Sequence, residues 1–126
     1  MEWTFRGDQP IYAQLVEKIK LAIVSGALPP GAKLASVRDL AMEAGVNPNT
    51  MQRALQELER EGLVWSQRTS GRYVTEDGSV VDGAKKRLAE GQIRDFLSAM
   101  KELGYDRAEI IALLEEEKGE TQNADS

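Results

Sequence analysis

The chain has 126 residues, 41% of them hydrophobic, with a formal net charge of −5 and neither cysteine nor histidine. That length suits one compact domain with a small appendage. The missing residue types exclude a disulfide framework and thiolate chemistry, and remove the commonest general base and metal ligand. No enzyme, cofactor or metal site is therefore expected, and without a run of about 18 apolar residues or an apolar leader the chain reads as soluble and cytoplasmic.

Met1 to Gln9 alternates Trp3 and Phe5 and reads as a short extended arm packed on the first helix. Pro10 opens that helix, with Asp8 or Gln9 as its cap. Ile11, Leu15, Ile19, Ala22 and Ile23 recur at helical spacing and mark its buried stripe, and Ser25-Gly26 ends it. Tyr12 lies off the stripe and reads as a packing residue. Residues 27–32, with Pro-Pro-Gly, form a turn, and Lys33-Leu34 suits a very short strand. Ser36 is a good N-cap, with Asp39 three residues on, for a short helix carrying Val37, Leu40, Ala41 and Ala44. Gly45 stops it, and Val46 is a buried hinge.

The stretch from Asn47 to Gly62 organises the rest. Asn47 can accept an orphan N–H of the first turn, Pro48 suits the first helical position, and Gly62 can take the left-handed conformation that ends a helix. Met51, Ala54, Leu55 and Leu58 form its apolar stripe. The other face of the first turns is Asn49, Thr50, Gln52 and Arg53. Asn and Gln can pair with adenine, Arg with guanine, and Thr can hold a phosphate. The acids Glu57, Glu59 and Glu61 come only in the last turns, where they repel phosphate. A short helix, a Gly-Val turn and a longer helix is the helix-turn-helix layout, with the second helix entering DNA by its N-terminus.

Residues 63–68 and 72–75 are rich in strand formers around a Thr69-Ser70-Gly71 turn, which gives a hairpin, or wing. Arg68 and Arg72 flank its tip and suit a phosphate backbone or a narrow minor groove. Residues 76–81 read as a polar connector. A helix follows over 82–104 with Leu88, Ile93, Phe96, Leu97, Met100 and Leu103, and its Gly91 costs about 1 kcal/mol relative to Ala. Asp106 and Glu109 form a capping box for a last helix with Ile110, Leu113 and Leu114, and 119–126 reads as a disordered tail. Two such helices cannot bury their apolar faces on each other alone, which predicts a homodimer through this pair.

The acidity is uneven. Residues 1–75 hold nine Lys/Arg against eight Asp/Glu, a net +1, and residues 76–126 hold seven against thirteen, a net −6. Contact with nucleic acid would therefore rest on a local patch of the N-terminal part.

The run Pro10-Ile11-Tyr12-Ala13-Gln14-Leu15, the Ser25 to Leu34 turn, Ser36-Val37-Arg38-Asp39-Leu40-Ala41, Val46 to Leu55, Leu58 to Val64 and Gly71-Arg72-Tyr73-Val74 resemble, without a gap, the winged helix-turn-helix of the GntR family of bacterial transcription regulators. The short C-terminal part with its Leu103-Gly104-Tyr105 link is similar to the small YtrA-type subgroup. The chain departs from the family pattern in two respects: Ala35 where Pro is usual, and Pro48 or Gln52 where Arg is common, so base preference does not transfer. The resemblance implies a mainly α fold with a small β-wing: a DNA-binding domain over 1–75, a connector over 76–81 and a two-helix dimerisation region over 82–118. It implies DNA contacts by Arg38, Asn47, Asn49, Thr50, Gln52, Arg53, Gly71 and Arg72, beside Ser36 and Arg68. It also implies a homodimeric repressor of a palindromic operator, often that of a transporter operon. A small-molecule effector would sit near Phe96, Met100 and Tyr105. The alternative from the residues is a winged-helix module that binds another protein, which net acidity and the C-terminal apolar faces would suit.

Overall fold

The computed structural model describes residues 1–117; residue 118 and the expected tail, 119–126, lie outside the described residues. Helix α1 spans Ile11–Val24, α2 Val37–Ala44, α3 Pro48–Arg60, α4 Gly78–Glu102 and α5 Arg107–Glu116, with strands β1 (Val64–Gln67) and β2 (Gly71–Val74) between α3 and α4. The fold is mainly helical with a small antiparallel sheet. Among the described residues no helix is long and apolar enough to cross a membrane. The chain divides into two compact units, Met1–Lys86 and Arg87 onward.

In the first unit α1 buries Leu15, Ile19, Ala22 and Ile23, while Ile11, expected on the same stripe, is 38% exposed. Neither Asp8 nor Gln9 caps the helix: the cap residue is Pro10, which makes no side-chain bond. The entry is held from inside instead. The Gln14 carboxamide accepts the Arg6 N–H at 2.7 Å and donates to the carbonyls of Arg6 at 2.7 Å and Gln9 at 2.9 Å. Gln14 is buried, and these bonds remove the desolvation cost of burying it. Trp3 and Phe5 stack at 6.4 Å and pack on the core beside it.

Helix α2 is capped by Ser36, whose hydroxyl oxygen accepts the Asp39 N–H at 3.1 Å, and stopped by Gly45 at φ +70°. Asn47 caps α3 by accepting the Asn49 N–H at 2.7 Å. Glu61 closes that helix, and Gly62 at φ +81° turns the chain into β1. The stripe of α3 is the centre of the core. Met51, Ala54 and Leu58 are 0% exposed, and Leu55 1%. Each of the larger side chains contributes about 1.5–3 kcal/mol by leaving water. Leu40 and Ala41 of α2, Leu63 just ahead of β1, and Val64 and Val74 of the sheet close the same core.

Strands β1 and β2 pair Val64 with Val74, Trp65 with Tyr73, Ser66 with Arg72 and Gln67 with Gly71. Residues 31–34 add a further edge: Leu34 N–H donates to Arg72 O at 2.9 Å, Val74 N–H donates to Ala32 O at 2.8 Å, and Lys33 bridges to Tyr73. Trp65 stacks on Tyr73 at 5.0 Å, a cross-strand pair that stiffens the hairpin.

The expected connector over 76–81 is mostly helix. Helix α4 starts at Gly78 because Asp77 caps it, accepting the Ser79 N–H at 3.0 Å and the Ser79 hydroxyl at 2.6 Å. Those bonds from Ser79 hold the Asp77 carboxyl below its ordinary value. Val80 and Val81 are half-buried against the first unit's core, and Ala84 is buried in it. The helix thus begins four residues before Asp82 and its apolar face two before it, with Val80, and the unit boundary falls inside this helix.

In the second unit α5 carries the expected capping box: Asp106 accepts the Glu109 N–H at 2.8 Å, and Glu109 accepts the Asp106 N–H at 2.9 Å. Among the described residues of this unit Ile110 alone is buried.

Candidate nucleic-acid interface

The candidate contacts come from three places on the first unit. Ser36 and Arg38 lie at the start of α2, Asn47 to Arg53 at the start of α3, and Arg68 to Arg72 at the wing. The two caps do double duty. The Ser36 hydroxyl accepts its intrahelical bond through oxygen and keeps its hydrogen to donate. Asn47 accepts through Oδ1 and keeps its NH2 group. Arg38, Asn49 and Arg68 are exposed, and their side chains have no hydrogen bond or ion pair among the described residues. Thr50 is half-buried with its hydroxyl equally unengaged.

Three of the expected contact residues are already engaged. Arg53 lies over the Tyr12 ring with its guanidinium 4.5 Å from the ring centroid. Tyr12, read from sequence as packing, therefore orients a basic residue of α3. Arg72 is 18% exposed at its side chain and donates through Nε to Glu59 Oε1 at 2.5 Å. Its Nη2 reaches Gln52 Oε1 at 3.5 Å. The Ser66 hydroxyl donates to the same Glu59 oxygen. Burial pushes the Glu59 carboxyl up, but the bonds from Ser66 and Arg72 and the Arg72 charge outweigh it and leave the group below its ordinary value.

Glu59 is thus not simply a solvated acid. It joins α3, β1 and β2, and brings Arg72 and Gln52 together. At the wing the turn is closed by the Ser70 N–H on Gln67 O at 3.2 Å, and the Tyr73 hydroxyl donates to Ser70 at 2.9 Å. Gly71 sits at φ +115°, and a Cβ there would lie 3.4 Å from Lys33 Cε. Lys33 thus joins Arg68 and Arg72 around the hairpin. Sequence reading missed Glu59, Tyr12 and Lys33 as members of this surface. Each owes its place to pairing across elements, for which local spacing carries no signal. Behind the surface, Lys20 and Glu61 pair at 2.7 Å and tie α1 to the end of α3.

An exposed, hydrogen-bonding N-terminal face on the second helix of a helix-turn-helix, followed by a hairpin with basic flanks, is a DNA-reading arrangement. Comparison with known proteins gives the same answer. The description "Bacterial regulatory proteins, gntR family" matches residues 11–74, which covers α1 through β2. The chain belongs to the GntR family. This GntR protein is 39% identical over 111 residues to YhcF of Bacillus subtilis, an uncharacterised HTH-type transcriptional regulator, covering 88% of this chain and 92% of that one. It is 39% identical over 101 residues to the HTH-type transcriptional repressor YtrA of the same organism, covering 80% and 73%. A GntR family transcriptional regulator from Listeria monocytogenes superposes with TM-score 0.81 at 38% identity, covering 89% of this chain and 98% of that one. The GntR chain is therefore a DNA-binding transcription regulator and not an enzyme.

The dimer candidates lie in the second unit. Ile93, Phe96, Leu103, Leu113 and Leu114 are exposed by 39–73%, and Leu88, Leu97 and Met100 are half-buried. Ile110 differs: it is 4% exposed within its own chain and so is not part of the open face. Of the residues expected near an effector, Phe96 and Tyr105 are exposed.

Proposed function

We propose that this GntR regulator is a homodimeric repressor of a palindromic operator. The observation that carries the DNA side of this reading is the face of α3 bearing Asn49, Gln52 and Arg53, set beside the wing. In the proposed complex two copies of α3 enter successive major grooves about 34 Å apart. Ser36, Arg38 and Thr50 hold phosphates and fix register. Asn47, Asn49, Gln52 and Arg53 meet base edges. Arg68, with Gly71 at the turn, meets the flanking backbone, and Arg72 braces the wing or joins it there. The dimer side rests on the second unit, where Ile93, Phe96, Leu103, Leu113 and Leu114 stay open to water in a single chain. Covering that face with its symmetry mate gives a closed, isologous pair. The relative YtrA is named as a repressor, which supports repression here. Likeness to the YtrA-type subgroup supports a transporter operon as the target, and an effector would enter between the protomers.

Fluorescence anisotropy on the chain's own promoter DNA across a salt series tests the reading. Tight, competitor-resistant binding with a steep negative salt slope and two chains per site is the expected result. Binding that ignores salt and sequence would sink it and favour a partner protein instead.

A further inference from the structure

The Gln52 carboxamide does not meet DNA as a free group. Its Oε1 faces Arg72 Nη2 at 3.5 Å, and Arg72 is itself fixed by Glu59 at 2.5 Å with its side chain only 18% exposed. A guanidinium has donors and no acceptor, so the oxygen of Gln52 must be the atom turned toward it. The NH2 group is then the end left for a base.

That orientation has a chemical consequence. Glutamine reads adenine by accepting from N6 with its oxygen while donating to N7 with its nitrogen. Here the oxygen is directed at the wing, and an adenine amino group brought to it would meet the Arg72 donor beside it. Guanine presents two acceptors on its major-groove edge, N7 and O6, and suits an NH2 left to donate with a cation close behind.

We propose that the Glu59–Arg72 pair is a specificity-determining device: by holding the Gln52 oxygen, it makes Gln52 select guanine over adenine at the base pair it reads. The inference rests on the reading of Gln52 as a base contact given above. Glu59 and Arg72 are positioning residues in it, and Ser66 supports Glu59 by donating to the same carboxylate oxygen.

The test is selection of DNA by the full chain from a duplex library randomised across an operator length, followed by competition binding of the recovered sites. Wild type is compared with Gln52→Ala, Arg72→Lys and Glu59→Gln. Lysine can keep a charge contact with Glu59 but lacks the second nitrogen that reaches Gln52, and Glu59→Gln removes the anchoring charge by a different route. The wild type is expected to recover guanine at one position of each half-site, and Gln52→Ala to erase that preference. Arg72→Lys and Glu59→Gln are expected to shift the same position toward adenine by about tenfold, with the other positions unchanged. A merely structural loss would weaken all sites alike. If Gln52→Ala erases the preference while both other variants retain it, the inference falls and the base contact stands. If Gln52→Ala changes no position, the base contact falls and takes the inference with it. Wild-type selection of adenine at the Gln52-dependent position overturns the inference directly.

Discussion

The two units treat their apolar residues in opposite ways. In the first, Leu15, Met51, Leu55 and Leu58 are almost wholly buried by partners from three helices and the wing, and the polar surface is free for recognition. In the second, Ile110 alone of the described residues is buried, while Leu103 is 73% and Leu114 57% exposed. A core that closes within one chain gives a rigid reading head. In the proposed dimer a second chain covers the open face, so its strength would depend on protein concentration. On the proposed reading, recognition and assembly fall to separate stretches, and each can be broken without the other.

The largest effect should come from the open face. Phe96→Glu combined with Leu113→Glu is expected to convert the dimer to a monomer in sedimentation velocity. Operator affinity should fall by about a hundredfold or more as the second half-site is lost. The melting of the first unit should be unchanged; a variant that still sediments as a dimer would place the interface elsewhere. Next is the closed core. Leu58→Ala should cost about 2–5 kcal/mol in urea unfolding, because a 0% exposed side chain leaves a cavity that cannot collapse. A cost near zero would show that the core is more plastic than its burial indicates. Smaller again, Arg38→Ala or Arg53→Ala should weaken operator binding by about 1–3 kcal/mol in mobility shift with unfolding unaltered. Unchanged affinity in both would remove them from the interface.

The smallest effect concerns acid. The Glu59 carboxyl is held below its ordinary value in the folded chain, so at moderately acidic pH the unfolded chain binds the proton more readily. Its contribution is full above the unfolded value and disappears as pH falls through the folded one. Glu59→Gln should therefore lower stability near neutral pH and converge with the wild type in acid, which flattens the acid side of the profile. An identical profile would mean that the contacts with Ser66 and Arg72 carry no net stability.

What was legible in the sequence was local. The caps Ser36, Asn47 and Asp106 and the α3 stripe involve partners a few residues apart, so spacing and residue type were enough to place them. The start of α4 was not. Asp77 and Gly78 look like a connector, and the Val80, Val81 and Ala84 face shows its purpose only once a core exists for it to meet. Gln14 resembles a surface polar residue at its position, yet burial makes its carboxamide a structural bracket. The surface residues on α3 were identified, but their engagement was not: Arg72 lies 13 positions from Glu59 and 20 from Gln52, distances that only the folded hairpin closes. Tyr12 needs α1 laid against α3 before it can meet Arg53.

The bracket formed by Gln14 also gives the first residues of the chain a clock. The Arg6 amide lies in a stretch with neither helix nor strand, where a proton normally exchanges with deuterium almost at once. Held on the Gln14 oxygen, it can exchange only when that side chain lets go. One slow amide ahead of the first helix would then report how often the arm lifts away, and a fusion placed at that end would be felt inside the reading head.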